Sequence, residues 1–330
     1  MPTAQILRDA QAAADKLAAG HLCAIPTETV YGLAADASNE AAVSRVFEAK
    51  GRPHDHPLIV HIADVSHVGD WILDLPEWAI VLANAVWPGP LTVVGARTNR
   101  ATDNITGGQE TVAVRVPDHY MTLELLANVH ERGILGLVAP SANSFGHVSP
   151  TTADHVQGDL GKYLANHGDV ILNGGPCVVG VESTIVLATG DQPVVLRPGA
   201  ITQDDIERIT GVEVLEHASN APRVSGALAS HYAPSAKVIL ITAEGLSQLS
   251  PSDMTQSAGL IAMAHIATPH GLTRINSPQT TTQFAAELYA SMRQADALNI
   301  AVLYVVAPSG TGIERAIADR LARAATKGQE

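Results

Sequence analysis

Two cations that flank a glycine, Lys50-Gly51-Arg52, have the clearest capacity for chemistry in this sequence. They follow a predicted helix in an acidic chain, which has 20 Lys and Arg residues against 33 Asp and Glu. Glycine lets a ligand approach the backbone and arginine presents a planar fork of donors, so the group could bind an anion such as phosphate. Cations and glycine are also typical of a solvated helix C-terminus, and the spacing alone leaves both interpretations open.

Loops rich in hydroxyl groups follow two predicted buried strands. The loop Pro26-Thr27-Glu28-Thr29 comes after the apolar run 22–25, and Pro140-Ser141-Ala142-Asn143-Ser144 comes after the run 134–138. In an α/β protein, ligands bind at the carboxyl ends of strands, and hydroxyl and amide groups suit phosphate or ribose. An ordinary Ser/Asn turn is the alternative for the second loop.

Arg115 lies in the predicted strand 111–116, where three valines alternate with Ala113 and Arg115. The alternation places the arginine on the face opposite the valines. It is either a surface charge on an edge strand or a clamp for a carboxylate, which arginine binds with two hydrogen bonds.

Three histidines, His54, His56 and His61, have a spacing that invites comparison with a metal site. Pro57 and the strand after it separate their side chains, so we expect no metal site there. The sequence also lacks the GxxxxGK[ST], GxSxG, HExxH and paired CxxC motifs of familiar enzyme classes.

The composition is that of a folded protein with 46% hydrophobic and 16% charged residues, and its 330 residues favour two domains. A net charge of −13 argues against broad, non-specific nucleic-acid binding.

The two cysteines, Cys23 and Cys177, show neither metal-ligand spacing nor a disulfide framework, which fits a reducing cytoplasm. The amphipathic segment 3–19 predicts a helix and not a signal peptide, and no apolar run is long enough to predict a membrane span.

Hydrophobic periodicity predicts alternating helices and strands along the chain. The predicted helices are 3–19, 39–49, 65–73, 76–86, 121–132, 152–160, 203–210, 281–295 and 312–325, and the predicted strands include 22–25, 58–62, 91–96, 111–116, 134–138, 170–172, 237–242, 259–264 and 299–307. The polar stretch 216–235, with its Pro and Gly residues, predicts a linker. We therefore expect a catalytic domain at 1–212, a linker or lid at 213–235 and a small parallel α/β domain at 236–330.

An ordered set of motifs runs through nearly the whole chain. It consists of PTETVYGL (26–33), KGRP followed by PLIVHI (50–62), WPGPLT (87–92), TVAVRVP (111–117), APSAN (139–143), SPT (149–151), ESTIV (182–186), LRPG (196–199) and HYAP (231–234). Each motif alone is weakly specific, but the ordered set resembles the threonylcarbamoyl-AMP synthase family, in the long two-domain form of the YrdC/YciO-like superfamily.

The resemblance implies an α/β fold, with a YrdC-like twisted mixed sheet, helices, a concave active-site cleft and a small C-terminal Rossmann-like domain. It also implies a reaction: L-threonine, bicarbonate and ATP, with Mg²⁺ bound through the ATP phosphates, give L-threonylcarbamoyladenylate and diphosphate. The product would serve N6-threonylcarbamoyladenosine modification of tRNA next to the anticodon, through hand-over to a downstream tRNA threonylcarbamoyl transferase complex. We expect a cytoplasmic enzyme with weak or absent direct tRNA binding, no membrane association and no metal held by the protein itself.

The resemblance also implies residue roles. The positions that match threonine-binding ones are Thr29, His61, Arg115, Ala139 through its backbone, and Ser183. Those that match or accompany ATP-binding ones are Arg52, His56, Thr111, Ser141, Asn143, Ser149, Arg197 and Tyr232. Lys50 and Arg52 are the expected catalytic cations, which would neutralise the phosphates, and Tyr232 would reach back over the nucleotide and make the linker a lid.

The sequence departs from the family pattern at two places. The family often has Asn at the position of His56, and the stretch 225–230 lacks the basic residues that some relatives carry. Two other functions remain as alternatives: a YrdC-like module that binds RNA or a nucleotide without synthase activity, and a carbamoyl-transfer relative as in hydrogenase maturation. The second alternative lacks support, because no acylphosphatase-like or zinc-finger region is visible.

Overall fold

The structure, a computed structural model, describes residues 2–215, 221–226, 232–249 and 257–326. The chain divides into two compact units. The first comprises Met1–Phe145, Pro150–Val178 and Glu182–Ala227, and the second comprises Gly146–Ser149, Val179–Val181 and Leu228–Glu330. Two short stretches that interrupt the first unit in the sequence therefore belong to the second unit. In the predicted linker, residues 216–220 and 227–231 lie outside the described residues, and these include His231 of the HYAP motif.

The first unit is built on a mixed sheet with the strand order β1-β9-β2-β3-β8-β4-β7-β6-β10-β11, in which β5 also pairs with β6. Its strands are β1 Gln5–Leu7, β2 Cys23–Ile25, β3 Gly32–Asp36, β4 Ile59–His61, β5 Ile72–Leu73, β6 Leu91–Arg97, β7 Thr111–Arg115, β8 Leu137–Val138, β9 Val170–Leu172, β10 Thr184–Leu187 and β11 Val194–Arg197. Its α-helices are α1 Ala10–Ala18, α2 Glu40–Lys50, α3 Glu77–Val86, α4 Asp103–Thr106, α5 Tyr120–His130, α6 Ala153–His167 and α7 Gln203–Thr210. The predicted mixed α/β fold is confirmed.

The central strands bury both faces. On β7, Val112 and Val114 pack into the main core, whereas Ala113 packs on the opposite face with Ile59 and Val94. The predicted alternation along this strand is confirmed. Because β7 lies between β4 and β6, the interpretation of Arg115 as an edge-strand surface charge is wrong.

The secondary structure differs from the prediction in segments that form strands by pairing with distant parts of the chain. The predicted helix 3–19 begins only at Ala10, capped by the Asp9 side chain, and the residues before it form β1. Strand β1 pairs with β9, which is distant in sequence, and local periodicity cannot predict such a pairing. The predicted helix 65–73 is a 3₁₀ helix, Val65–Asp70, followed by β5, and strand β3 was not predicted.

The second unit has a parallel sheet with the strand order β12-β15-β13-β14. Its elements are β12 Lys237–Leu240, α8 Ala243–Ser247, β13 Ala258–Ile261, β14 Thr273–Asn276, α9 Thr281–Ala297, β15 Val302–Val305 and α10 Glu314–Thr326. The predicted parallel α/β unit is confirmed. None of the helices in the described part of the chain is both long enough and apolar enough to cross a membrane.

Candidate active site on one face of the first sheet

A row of polar side chains crosses neighbouring strands of the first unit, and we call it the polar row: His61, Arg115, Thr92 and Ser183. His61 at the end of β4 pairs in register with Arg115 at the end of β7. On β6, Val93 pairs with Val114, so antiparallel register sets Thr92 beside Arg115. Thr92 Oγ1 lies 2.8 Å from Oγ of Ser183, which precedes β10. Strand register thus gathers residues that are distant in sequence.

Arg115 is the charged centre of the polar row. Its Nη1 donates to Thr29 Oγ1 at 3.0 Å, and its Nη2 lies 2.5 Å from Glu28 Oε1. The side chains of Arg115 and Glu28 are only 5% and 3% exposed. Nε of Arg115 makes no hydrogen bond to a described residue, whereas Nη2 is held by the Glu28 carboxylate. The guanidinium edge formed by Nε and Nη2, which can bind a carboxylate with two hydrogen bonds, therefore has an unused donor at Nε.

His61 is held as a neutral imidazole. Burial, followed by the positive charge of Arg115, lowers the pKa of His61 from 6.5 to about 3. Its Nδ1 lies 3.2 Å from the Ile59 carbonyl oxygen. A carbonyl can only accept, so Nδ1 carries the proton and Nε2 presents a lone pair. His61 can accept a hydrogen bond from a ligand hydroxyl or ammonium group.

Lys50 braces the predicted phosphate loop. It is the last residue of α2, and Gly51 caps that helix in the left-handed conformation at φ 62°. Its Nζ donates to the carbonyl oxygens of Ser141 and, at 2.6 Å, Asn143. Burial, with a further effect of Arg52, holds the pKa of Lys50 well below its usual value. The side chain is 3% exposed, so the solvated-terminus interpretation is wrong for Lys50.

Arg52 and His56 share an aromatic partner, Phe145. The Arg52 guanidinium lies 5.6 Å from the centre of the Phe145 ring, and the His56 ring meets the same ring edge-on at 5.3 Å. Arg52 Nη2 also donates to the Pro57 carbonyl at 2.9 Å. Burial and the charge of Arg52 lower the pKa of His56 from its ordinary value. These contacts fix a cation and a neutral imidazole beside the loop that Lys50 braces.

The segment 221–226, which we call the strap, lies on the same sheet face as the polar row. Val224 is buried against Ile59, Val94, Ala113 and Ile185. Arg223 exchanges two backbone hydrogen bonds with the Gln109 side chain, at 2.7 Å and 3.1 Å. Thr111 lines a narrow cavity beside the strap.

The strap also contacts both arginines that were predicted to bind ATP. Ser225 accepts from Arg52 at its hydroxyl, at 3.2 Å, and from Arg197 at its carbonyl, at 2.8 Å. Arg197 donates in addition to Ser183, through Nε and Nη2 to its carbonyl at 3.1 Å and 2.9 Å and through Nη2 to its hydroxyl at 3.1 Å. Arg197 thus lies against a residue of the polar row, and Ser225 bridges the two arginines.

The backbone of the loop after β8 is fixed by the sheet. Ala139 donates its N–H to Ile59 O at 3.2 Å, and Ser141 forms a bridge with Gly32. A side chain at Gly32 would come within 3.0 Å of the Ala139 Cβ, so only glycine lets these backbones approach so closely.

Two further predicted ATP residues, Ser149 and Tyr232, belong to the second unit. The Ser149 carbonyl accepts from Arg293 Nε at 3.4 Å. Tyr232 adopts a positive φ of 63°, and its buried ring stacks on Tyr289 at 5.6 Å and lies 5.5 Å from the Arg320 guanidinium. Within its own unit the Tyr232 ring is therefore firmly packed.

Sequence reasoning missed four residues of this site: Glu28, Thr92, Phe145 and Ser225. Glu28 stands between two threonines of the first motif, and a carboxylate in a buried loop was a usable signal. Thr92 ends the WPGPLT motif, but its partner depends on strand register. Phe145 and Ser225 carried no local signal, because their roles arise from contacts with Arg52 and Arg197.

Comparisons with known proteins bear on this site. A family model described as "Telomere recombination" matches residues 15–199, and one described as "Threonylcarbamoyl-AMP synthase, C-terminal domain" matches residues 201–326. A Bacillus subtilis threonylcarbamoyl-AMP synthase is 38% identical over 328 residues, which is 96% of this chain and 92% of the relative. A Pyrococcus abyssi protein of the same name is 45% identical over 229 residues, which is 67% of this chain and 64% of the relative. A crystal structure of P. abyssi Sua5 complexed with L-threonine has a TM-score of 0.85 at 33% identity and covers 98% of this chain and 97% of its own.

Proposed function

The chain belongs to the threonylcarbamoyl-AMP synthase family, and we propose that its polar row binds threonine while the Lys50–Asn143 region and the strap handle ATP. L-threonine, bicarbonate and ATP give L-threonylcarbamoyladenylate and diphosphate. The single observation that carries the assignment is the buried guanidinium of Arg115, whose Nε has no hydrogen-bond partner among the described residues. An unsatisfied buried donor costs about 1–3 kcal/mol, and a substrate carboxylate would remove that cost.

Threonine binding follows from the groups around Arg115. The carboxylate would take Nε of Arg115 and share Nη2 with Glu28. The remaining contacts would come from the hydroxyls of Thr29 and Ser183, the Nε2 lone pair of His61 and the backbone of Ala139. Thr29 already accepts from Arg115 Nη1 at 3.0 Å, which supports a site in which arginine and hydroxyl are oriented before the substrate arrives.

ATP binding would use the cationic side of the site. The proposed contacts are Arg52, His56, Thr111, Ser141, Asn143, Ser149, Arg197 and Tyr232. Lys50 would act in part through the loop, since its donation to the Ser141 and Asn143 carbonyls holds the groups that would face the phosphates. Arg52 and Lys50 would stabilise the charge that develops on the phosphates during adenylate formation.

Mg²⁺ would enter with ATP. Among the described residues no group of three or more His, Cys, Asp or Glu side chains could hold a metal ion. Phosphate oxygens and water would therefore supply most of its ligands, which suits Mg²⁺. Bound in this way it would neutralise phosphate charge, and the residues of this chain would orient the nucleotide.

The strap would act as a lid over the nucleotide. Its Ser225 takes one donor from each of Arg52 and Arg197, which are the donors proposed for ATP. ATP would replace these contacts while Val224 keeps the strap anchored on the sheet. Closure would exclude water from the labile carboxylated threonine, and the rate enhancement would come mainly from positioning and electrostatics.

The product would pass to a downstream tRNA threonylcarbamoyl transferase complex in the cytoplasm, for N6-threonylcarbamoyladenosine formation. Direct tRNA binding would be weak or absent, as the net charge of −13 suggests. The alternative is a nucleotide- or RNA-binding module without synthase activity. A nucleotide product that carries label from both threonine and bicarbonate supports the synthase, whereas a tRNA gel shift at physiological salt without such a product supports the module.

A further inference from the structure

A cleft of about 730 Å³ opens in the second unit, where the catalytic assignment places no reacting group. It lies at the carboxyl ends of three strands of the parallel sheet. Its lining comes from residues 240–243 at the end of β12, from Met263, His265 and Ile266 after β13, from residues 305–309 at the end of β15, and from Thr281 of α9. The volume lies within the range of small-molecule sites, roughly 300–1,000 Å³.

The topology of the sheet places the cleft where open α/β sheets usually bind ligands. The strand order β12-β15-β13-β14 places β15 next to β13. After β13 the chain continues to β14, on one side of the β13–β15 pair. After β15 it continues into α10, which packs against β12 on the other side. The connections therefore diverge between β13 and β15. A crevice outside the carboxyl ends of strands at such a switch point is where open α/β sheets bind ligands.

The lining is chemically selective. Its walls are largely aliphatic, with Ile241 beyond one strand and Met263 and Ile266 beyond another. The polar side chains at the cleft are the hydroxyls of Thr242, Thr281 and Ser309 and the ring of His265, and none of the described lining residues is Asp, Glu, Lys or Arg. Aliphatic walls suit the faces of a flat ring, and hydroxyls suit the polar edges of a ring or a sugar.

Arg274 holds the loop after β13, which forms one wall of the cleft. Its guanidinium donates to the carbonyls of Ala262 at 2.6 Å, Met263 at 2.9 Å and Ile266 at 3.1 Å. These three hydrogen bonds restrain the loop after β13. The cleft is therefore formed before a ligand enters, which lowers the entropic cost of binding.

The glycine-containing loop between β15 and α10 carries an acidic group where phosphate-binding loops carry none. A side chain at Gly310 would come within 2.7 Å of the Glu314 carboxyl carbon, and one at Gly312 within 2.9 Å of its Oε2. The Glu314 carboxylate thus lies over the loop that follows Ser309. It occupies the start of α10 and would repel a phosphate group there.

We propose that this cleft binds a neutral nucleoside in preference to the corresponding nucleotide. The flat base would lie between the aliphatic walls, and the sugar hydroxyls would meet Thr242, Thr281 and Ser309. Binding there is separate from synthase chemistry and does not depend on the assignment of the catalytic residues.

Equilibrium dialysis of radiolabelled adenosine against the full chain tests the proposal, with saturating unlabelled ATP to block the nucleotide site of the first unit. We expect saturable adenosine binding that persists under ATP, and AMP binding at least 10-fold weaker. Ala307→Phe adds bulk to the lining of the cleft and should raise the adenosine dissociation constant at least 10-fold, with pyrophosphate release within twofold of the unsubstituted protein. Ala297→Phe, at the exposed end of α9, is the matched control and should bind like the unsubstituted protein.

Ser309→Trp is a second substitution in the cleft lining. Ser309 is exposed, so this variant should fold and can replace Ala307→Phe if that variant unfolds. Glu314→Gln should strengthen AMP binding and leave adenosine binding unchanged. Adenosine binding that ATP removes completely, or that both cleft substitutions leave intact, would overturn the site. Absence of adenosine binding at millimolar concentration, or AMP binding as tight as adenosine, would overturn the neutral-nucleoside assignment.

Discussion

Arg115 and Glu28 form a buried ion pair, with Nη2 of the arginine 2.5 Å from Oε1 of the carboxylate. The pair joins the end of a central strand to the loop after β2. Each of these buried charges is neutralised by the other, and removing either one would leave an isolated buried charge, which is strongly destabilising. The proposed threonine site is thus electrically balanced before substrate binds, and the incoming carboxylate meets an arginine that is already held in place.

Arg115→Ala should raise the KM for threonine roughly 30-fold and the KM for ATP less than threefold. The substitution removes charge-assisted hydrogen bonds to a carboxylate, which are worth about 1.5–3 kcal/mol. Initial rates of pyrophosphate release, with each substrate varied in turn, measure the split. Arg132→Ala removes an arginine that pairs with the exposed Asp15 and serves as the control. Equal effects of Arg115→Ala on both substrates would contradict the clamp.

Glu28→Gln should lower the free energy of unfolding by at least about 2 kcal/mol, since it leaves the Arg115 charge buried without its counter-charge. Threonine should then restore more stability to the variant than it adds to the unsubstituted protein, because its carboxylate replaces the lost charge. Calorimetric Tm values with and without threonine measure both effects. Asp15→Asn breaks an exposed pair and should change little. A threonine effect no larger in the variant would argue against the shared partner.

Acid should destabilise the protein in part through His61. Its pKa is lowered from 6.5 to about 3 in the native state, so between these pH values the unfolded chain binds a proton that the native protein does not. Stability therefore falls as the pH falls through this window, with a contribution of about 2 kcal/mol lost by pH 5. Urea unfolding from pH 8 to pH 5 should show a shallower decline for His61→Asn than for the unsubstituted protein. The same substitution at the exposed His270 controls for residue type, and parallel declines would refute this origin.

Val224→Asp should release the strap, because it places a charge among Ile59, Val94 and Ala113. If the strap closes over the nucleotide, the KM for ATP should rise at least fivefold with little change in the KM for threonine. Val178→Asp, at a position that is 71% exposed, supplies the matched control. An unchanged ATP affinity together with a native Tm would eliminate the lid.

The sequence predicted the features that depend on local pattern. Alternation along β7 placed Arg115 opposite the valines, and the predicted end of α2 placed Lys50 and Arg52 on either side of the helix cap. Contacts between residues that are distant in sequence could not be predicted from local pattern. The contact of Thr92 with Ser183 requires the registers of β6 and β10, and the first strand of the sheet pairs with β9. The ion pair of Arg115 with Glu28 could not be predicted either. Each of these charged side chains could bind a ligand or another side chain, and the sequence does not show which.

Substrate dependence of pyrophosphate release tests the central claim most directly. The purified protein would be supplied with ATP and Mg²⁺, and threonine and bicarbonate would each be present or omitted. The account predicts release only when both are present. Release with neither would identify a plain nucleotide hydrolase, and bound ATP without any release would favour the binding module; either result would contradict the synthase assignment.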